Sequence, residues 1–182
     1  EFRRVLFRSK STFISRFMQT LVLPKMDNGY ARDRATDELP QSGNGKTIMT
    51  MQPKFVPNEA ARVNLAEGVS ANFRLIDCVG YLIDGVSGHT EDGAPRLVKT
   101  PWSDSDIPFE EAAEIGTRKV IAEHSTIGVL VTTDGTIGDI NRLNYVAAEE
   151  RVARELKEAG KPFVVVLNTT DPDGAPYRQA DC

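Results

Sequence analysis

Cysteine is scarce in this sequence. Cys78 and Cys182 are the two, too few for a disulfide framework, and a reducing, cytoplasmic setting is the expectation. Long apolar runs are absent too: none approaches the roughly 20 residues that a membrane-spanning helix needs. There is no basic block, and the net charge of -4 argues against a nucleic-acid partner. Histidine is limited to His89 and His124. His89 lies in a Gly-rich polar loop and is expected to be solvated. His124 falls near a helix end, where a cationic side chain is favoured, rather than in a metal site. No repeat or low-complexity tract is present. What remains, 40% apolar and 26% charged over 182 residues, fits one globular domain.

The organising stretch is Asn72-Phe73-Arg74-Leu75-Ile76-Asp77-Cys78-Val79-Gly80. A short apolar run ending in an acid reads as a buried strand whose tip opens on a ligand crevice. An acid there can hold Mg²⁺ through water. Gly80, with no Cβ, lets a backbone N–H approach a terminal phosphate. Upstream, Lys10-Ser11-Thr12 matches the end of the phosphate-loop pattern G-x-x-x-x-G-K-[ST]. Phe13, Ile14, Phe17 and Met18 then recur at helical spacing. Amides at that helix start and the Lys10 ammonium would cradle phosphates, and the Ser11 hydroxyl would reach Mg²⁺. The glycines ahead of Lys10 are lacking. Ser9 replaces the glycine before Lys10, no glycine lies upstream, and the loop positions Val5, Leu6, Phe7, Arg8 and Ser9 match a sequencing adapter translated in one frame. Residues 1–9 are therefore expected to be foreign to the domain, joined to a gene fragment at 10–182. Val5 and Phe7 alternate as a strand requires, so Arg4–Phe7 could fill part of a missing first-strand slot.

Farther along, residues 25–47 read as a long polar loop, of the kind that is functional or mobile. Ala61–Leu65 and Ala71–Ile76 flank Glu67-Gly68 as an antiparallel hairpin. A second long loop covers about residues 81–107, with Tyr81 and Trp102 as packing anchors. Phe109–His124 predicts a helix, with Pro108 at its start and Glu110 and Glu111 in its first turn. Thr126–Thr132 and Pro162–Leu167 read as buried strands, with a helix over Leu143–Ala159 closed by Gly160. Strands separated by helices give an α/β sandwich with a mostly parallel sheet. Asn168-Thr169-Thr170-Asp171 keeps the outer residues of the guanine-reading N-K-x-D motif without its lysine.

Placed in this order, the residues resemble the nucleotide-binding domain of the stage IV sporulation protein A family. The resemblance runs from Lys10 to about Thr170. It takes in Asp37-Glu38-Leu39-Pro40-Gln41-Ser42, Gly45-Lys46-Thr47-Ile48-Met49-Thr50, Leu75-Ile76-Asp77-Cys78-Val79-Gly80-Tyr81 and, most distinctively, Thr132-Thr133-Asp134-Gly135-Thr136-Ile137-Gly138-Asp139-Ile140. It implies a truncated P-loop NTPase of the translation-factor GTPase type, a three-layer sandwich that hydrolyses ATP with Mg²⁺. By the same resemblance, hydrolysis drives polymerisation of the spore-coat basement layer, on the mother-cell side of the outer forespore membrane. The implied partners are further copies of the protein, a small amphipathic membrane-anchoring peptide and other coat proteins, with peripheral membrane contact. Middle and C-terminal assembly domains would lie beyond Cys182.

Carried onto this sequence, Lys10 is the phosphate lysine and Thr12 follows it in the loop. Ser11, Thr50 and Asp77 are the Mg²⁺-associated groups, with Thr50 also a sensing threonine; Met51 stands where a second threonine can occur. Gly80 meets the terminal phosphate, and Asn168 and Asp171 face the base. Two other functions stay open on these residues: a coat-assembly module with a vestigial site, and a GTP-dependent switch.

Overall fold

The computed structural model describes residues 9–40, 53–86, 89–91, 93–137 and 140–174. Thr50, Met51, residues 1–8 and the Gly138-Asp139 pair lie outside them, as does the side chain of Ser9. Helix α1 (Ser9–Phe17) carries Lys10, Ser11 and Thr12 in its first turn, where the loop pattern places them. It runs on through one π-helical turn, Met18–Val22, and a 3₁₀ turn, Leu23–Lys25, where Pro24 cannot extend the ladder. Ile14 and Met18 of its apolar face are buried, and Phe13 and Phe17 pack against the same core.

Residues 25–47 are not the uninterrupted loop that their polarity suggests. Helix α2 spans Gly29–Asp37, and the Asn28 side chain caps it by accepting from the Ala31 N–H at 3.2 Å. The Asn-Gly pair, a turn signal by composition, here works as an N-cap. Ala35 is the one buried residue of α2. The helix is held chiefly at its rim: Arg34 pairs with Glu59, and the Glu38 carboxylate accepts from the Asn58 N–H at 2.7 Å.

Strands β1 (Lys54–Ala66) and β2 (Val69–Asp77) form the expected antiparallel hairpin about Glu67-Gly68, where Gly68 has φ +72°. Val56, Ala61 and Val63 face α1, Val22, Leu23 and Met26. Each fully buried Val or Met here contributes roughly 1.5–3 kcal/mol relative to exposure. β2 is half-buried rather than fully buried, since the hairpin has one covered face.

Between the hairpin and the next helix the chain makes two small ladders. β3 (Thr90–Glu91) pairs with β4 (Ala94–Pro95), and β5 (Leu97–Val98) with β6 (Ile107–Pro108). His89, read as solvated, is half-buried, and its Nδ1 has no hydrogen-bond partner in the described structure. Trp102 packs against Gly116, where a Cβ would lie 3.2 Å from the indole.

Helix α3 (Phe109–Lys119) and its π-helical extension Val120–His124 match the expected span. Phe109, Ala112, Ala113, Val120 and Ile121 are buried, and His124 in the last turn meets the edge of Phe55 at 5.9 Å. Strand β7 (Gly128–Thr133), helix α4 (Leu143–Glu158) and strand β8 (Phe163–Asn168) form a β–α–β unit in which the two strands run parallel. Gly128 is required by packing: a Cβ there would lie 2.7 Å from Leu156 of α4.

Among the described residues the strands form four separate two-stranded ladders, of which β7–β8 is the parallel one, rather than a single mostly parallel sheet. Nor are these strands buried throughout: Val129, Val164 and Val165 are 42%, 55% and 58% exposed. Helix α4 lies against Gly128, and the register puts Val129 beside Val164 on the opposite face. Helix α1 touches both β2 and β7, and so stands between the hairpin and the parallel unit.

Candidate nucleotide site

Two sequence-distant groups meet where α1 begins and β2 ends. The Ser11 hydroxyl donates to Asp77 Oδ2 at 2.5 Å, across 66 residues of chain. Ser11 is there because the helix starts at Ser9, and Asp77 because it is the last residue of β2. Gly80 follows with φ +81°, a conformation that L side chains adopt only with strain. A Cβ at Gly80 would lie 3.7 Å from Lys10 Nζ, so the ammonium stands on the side of Gly80 where a side chain would project. Lys10, Ser11, Asp77 and Gly80 thus form one cluster. Thr12 is half-buried on the same first turn.

Cys78 sits inside this cluster. Burial pushes its thiol up, while the Lys10 charge pulls in the other direction. A thiol held neutral beside a lysine leaves the positive charge of Lys10 available to an anion.

Asn168 is the last residue of β8, and Asp171 lies in the loop that follows it. That loop is laced to the one that follows β7. The Thr169 hydroxyl donates to Asp134 Oδ2 at 2.6 Å and accepts from the Asp171 N–H at 3.1 Å. The other Asp134 oxygen accepts from the Thr136 N–H at 2.8 Å and from its hydroxyl at 2.6 Å. The Thr136 hydroxyl in turn accepts from the Thr170 N–H at 3.1 Å. Thr169 holds the position of the missing motif lysine, and its side chain fastens two loops instead. Asp171 is exposed.

Sequence reasoning missed this lacing. It also missed a set of ionic contacts along α4. Arg142 binds both carboxylate oxygens of Glu149, at 2.9 and 2.6 Å, and Glu149 also accepts from the Thr132 hydroxyl. Arg151 lies over the Tyr81 ring, 4.0 Å from its centroid, and grips Glu114 of α3 with both terminal nitrogens, at 2.5 and 2.8 Å. The i, i+4 spacing of Arg151 and Glu155 was a legible signal. The link to Glu114, 37 residues away, was not.

A family model described as stage IV sporulation protein A, ATPase domain, matches residues 6–180. The chain belongs to this family. It is 60% identical over 163 residues to stage IV sporulation protein A of Bacillus subtilis (strain 168), 58% to that of Bacillus anthracis and 56% to that of Clostridioides difficile (strain 630). Each match covers 90% of this chain and 33% of the relative, so the chain spans about a third of the length of these curated relatives. No solved structure matches it. Among the described residues, no helix is long and apolar enough to cross a membrane.

The donor set of the cluster fits Mg²⁺. One hydroxyl and one carboxylate at a helix start make a site that needs phosphate oxygens and water to complete it, the usual state of Mg²⁺ in nucleotide enzymes. No group of three or more His, Cys, Asp or Glu that could hold a metal without them occurs among the described residues.

Proposed function

We propose that this domain binds Mg²⁺·ATP at Lys10, Ser11, Thr12, Asp77 and Gly80 and hydrolyses it. The observation that carries this is the Ser11–Asp77 hydrogen bond beside Lys10 and Gly80. Ser11 and Asp77 would hold Mg²⁺, which when bound neutralises charge on the transferring phosphoryl group. Thr50, outside the described residues, would join them as metal ligand and sensor. Lys10 stabilises phosphate charge, and its effect is largest where charge develops during transfer. Gly80 leaves its backbone free to meet the terminal phosphate. Phosphoryl transfer to water asks for positioning and charge stabilisation more than for covalent chemistry, and this cluster supplies both. The architecture in this proposal is the P-loop three-layer sandwich, with the parallel β7–β8 pair as part of its central sheet.

In the whole protein, turnover would drive self-assembly into the basement layer of the spore coat on the outer forespore membrane, on the mother-cell side. A small amphipathic anchoring peptide and other coat proteins would be the partners. The family membership and the names of the relatives support this reading.

The test is Mg²⁺-dependent ATP turnover by the domain with a G-x-x-x-x-G loop restored ahead of Lys10. Turnover lost on Lys10→Ala supports the proposal. No turnover above background favours an assembly module with a vestigial site. Asn168 and Asp171 motivate a second reading, a GTP-dependent switch. Competition between ATP and GTP for the restored domain decides it, since tighter GTP binding would defeat the ATP assignment.

A further inference from the structure

Gly80 has no side chain with which to hold its position. A glycine at φ +81° in a segment outside helix and strand is among the least constrained residues a chain can offer. The next residue, Tyr81, is tied at its hydroxyl and over one face of its ring. Its hydroxyl donates to Glu155 Oε2. The other Glu155 oxygen accepts from Arg151 Nε at 3.1 Å. The Arg151 guanidinium covers the Tyr81 ring and closes on Glu114. Arg151 and Glu114 are 29% and 30% exposed and Glu155 is 18% exposed, so the chain of contacts is partly withdrawn from water. Three residues along, Asn144 of α4 donates to the Asp84 carbonyl at 2.9 Å, a second tie between the same segment and the same helix.

We infer that Tyr81 is a positioning residue for hydrolysis: through Glu155, Arg151 and Glu114 it anchors the segment that carries Gly80 against α3 and α4, beside Lys10. This rests on the ATPase reading above. Charge supports the geometry. Burial and the Glu155 carboxylate push the Tyr81 phenol up, so it stays protonated and donating at all ordinary pH. The Arg151 hydrogen bonds hold the Glu114 carboxyl below its usual range, so this end of the relay stays ionised. A tether of this kind acts on the transition state. The ground-state complex would be held mainly by the amides of a restored loop, whereas the Gly80 N–H, like Lys10, matters most as charge moves during transfer.

The experiment has two arms. In the loop-restored domain, Tyr81→Phe should lower kcat about tenfold and leave the ATP Kd within about twofold, the size of one lost hydrogen bond to a charged group. Glu155→Ala should do the same, and the double variant should add little to either, as expected of two ends of one contact. A Kd that weakens in step with kcat, together with a lower Tm, would mean that Tyr81 only supports the fold. Unchanged kcat would overturn the inference outright.

The second arm uses the 182-residue chain and no nucleotide. Peptide-resolved alkylation of Cys78, two residues before Gly80, should run about fivefold faster in Tyr81→Ala, because local opening exposes the segment. Unchanged alkylation overturns the inference. If the restored parent shows no ATP turnover, the ATPase reading fails, and the alkylation arm alone decides whether Tyr81 holds the segment.

Discussion

The phosphate end of the candidate site and the base end are built on opposite principles. At the phosphate end, side chains from α1 and the β2 tip point at one another: Ser11 meets Asp77, and Lys10 lies beside Gly80. Those contacts are ones a bound Mg²⁺·nucleotide could take over, because each partner has donor or acceptor capacity suited to phosphate or metal. At the base end the polar side chains are already committed to holding loops together. Asp134 is gripped by Thr136 and Thr169, and Thr169 stands where a base-packing lysine would. Under the proposed reading, the difference teaches that these residues specify phosphate more firmly than they specify the base.

The comparison breaks most easily at Lys10. In the loop-restored domain, Lys10→Ala should lower kcat/KM by about 100-fold or more, the usual cost of removing one charge-stabilising donor. Steady-state ATP turnover measures it, and a loss under threefold would take Lys10 out of the phosphate site.

Next in size is the 182-residue chain without a restored loop. Val5, Leu6, Phe7, Arg8 and Ser9 stand where loop glycines would let several N–H groups converge, so this chain should show no saturable ATP binding at micromolar nucleotide, the regime of about -8 kcal/mol. Titration with a fluorescent ATP analogue and Mg²⁺ tests this. Saturable, Lys10-dependent binding would show that residues 1–9 form a working loop.

Gly80→Ala sharpens the comparison. Space is not the obstacle, since the nearest atom to the new Cβ is Lys10 Nζ at 3.7 Å. The left-handed backbone is: it costs an L residue about 1–2 kcal/mol, so turnover should fall by about tenfold if the segment relaxes away. Equal turnover in the variant would show that the Gly80 conformation is idle.

The smallest effect belongs to the base end. Thr169→Lys removes the hydroxyl that fastens Asp134 and restores N-K-x-D. The ratio of GTP to ATP affinity should rise by about fivefold, roughly the worth of one hydrogen bond. Competition binding in the loop-restored domain reads it. An unchanged ratio would mean that the lacing has no part in base choice.

Much of this was legible in the sequence. The helix after Lys10, the hairpin about Glu67-Gly68, α3, α4 and the two strands around it follow from apolar periodicity and end signals, and those are local. Asp77 and Lys10 could be paired because each belongs to a motif whose spacing carries chemistry. What stayed hidden depended on tertiary partners. Asn28-Gly29 reads as a turn until α2 packs Ala35 beneath it. The apolar runs of β7 and β8 read as buried, yet burial depends on what covers each face, and Val129 and Val164 turn away from α4. The Tyr81–Glu155–Arg151–Glu114 relay joins three segments by ionic contacts with no periodicity to announce them.

The central claim is that Asp77 and Ser11 form the Mg²⁺ end of a hydrolytic site. Asp77→Asn tests it most directly, with Mg²⁺-dependent ATP hydrolysis and ATP binding measured side by side in the loop-restored domain. Hydrolysis should fall by about 100-fold while binding weakens by less than about tenfold, because a metal-held charge counts most in the transition state. Hydrolysis at the parent rate in that variant would contradict the account.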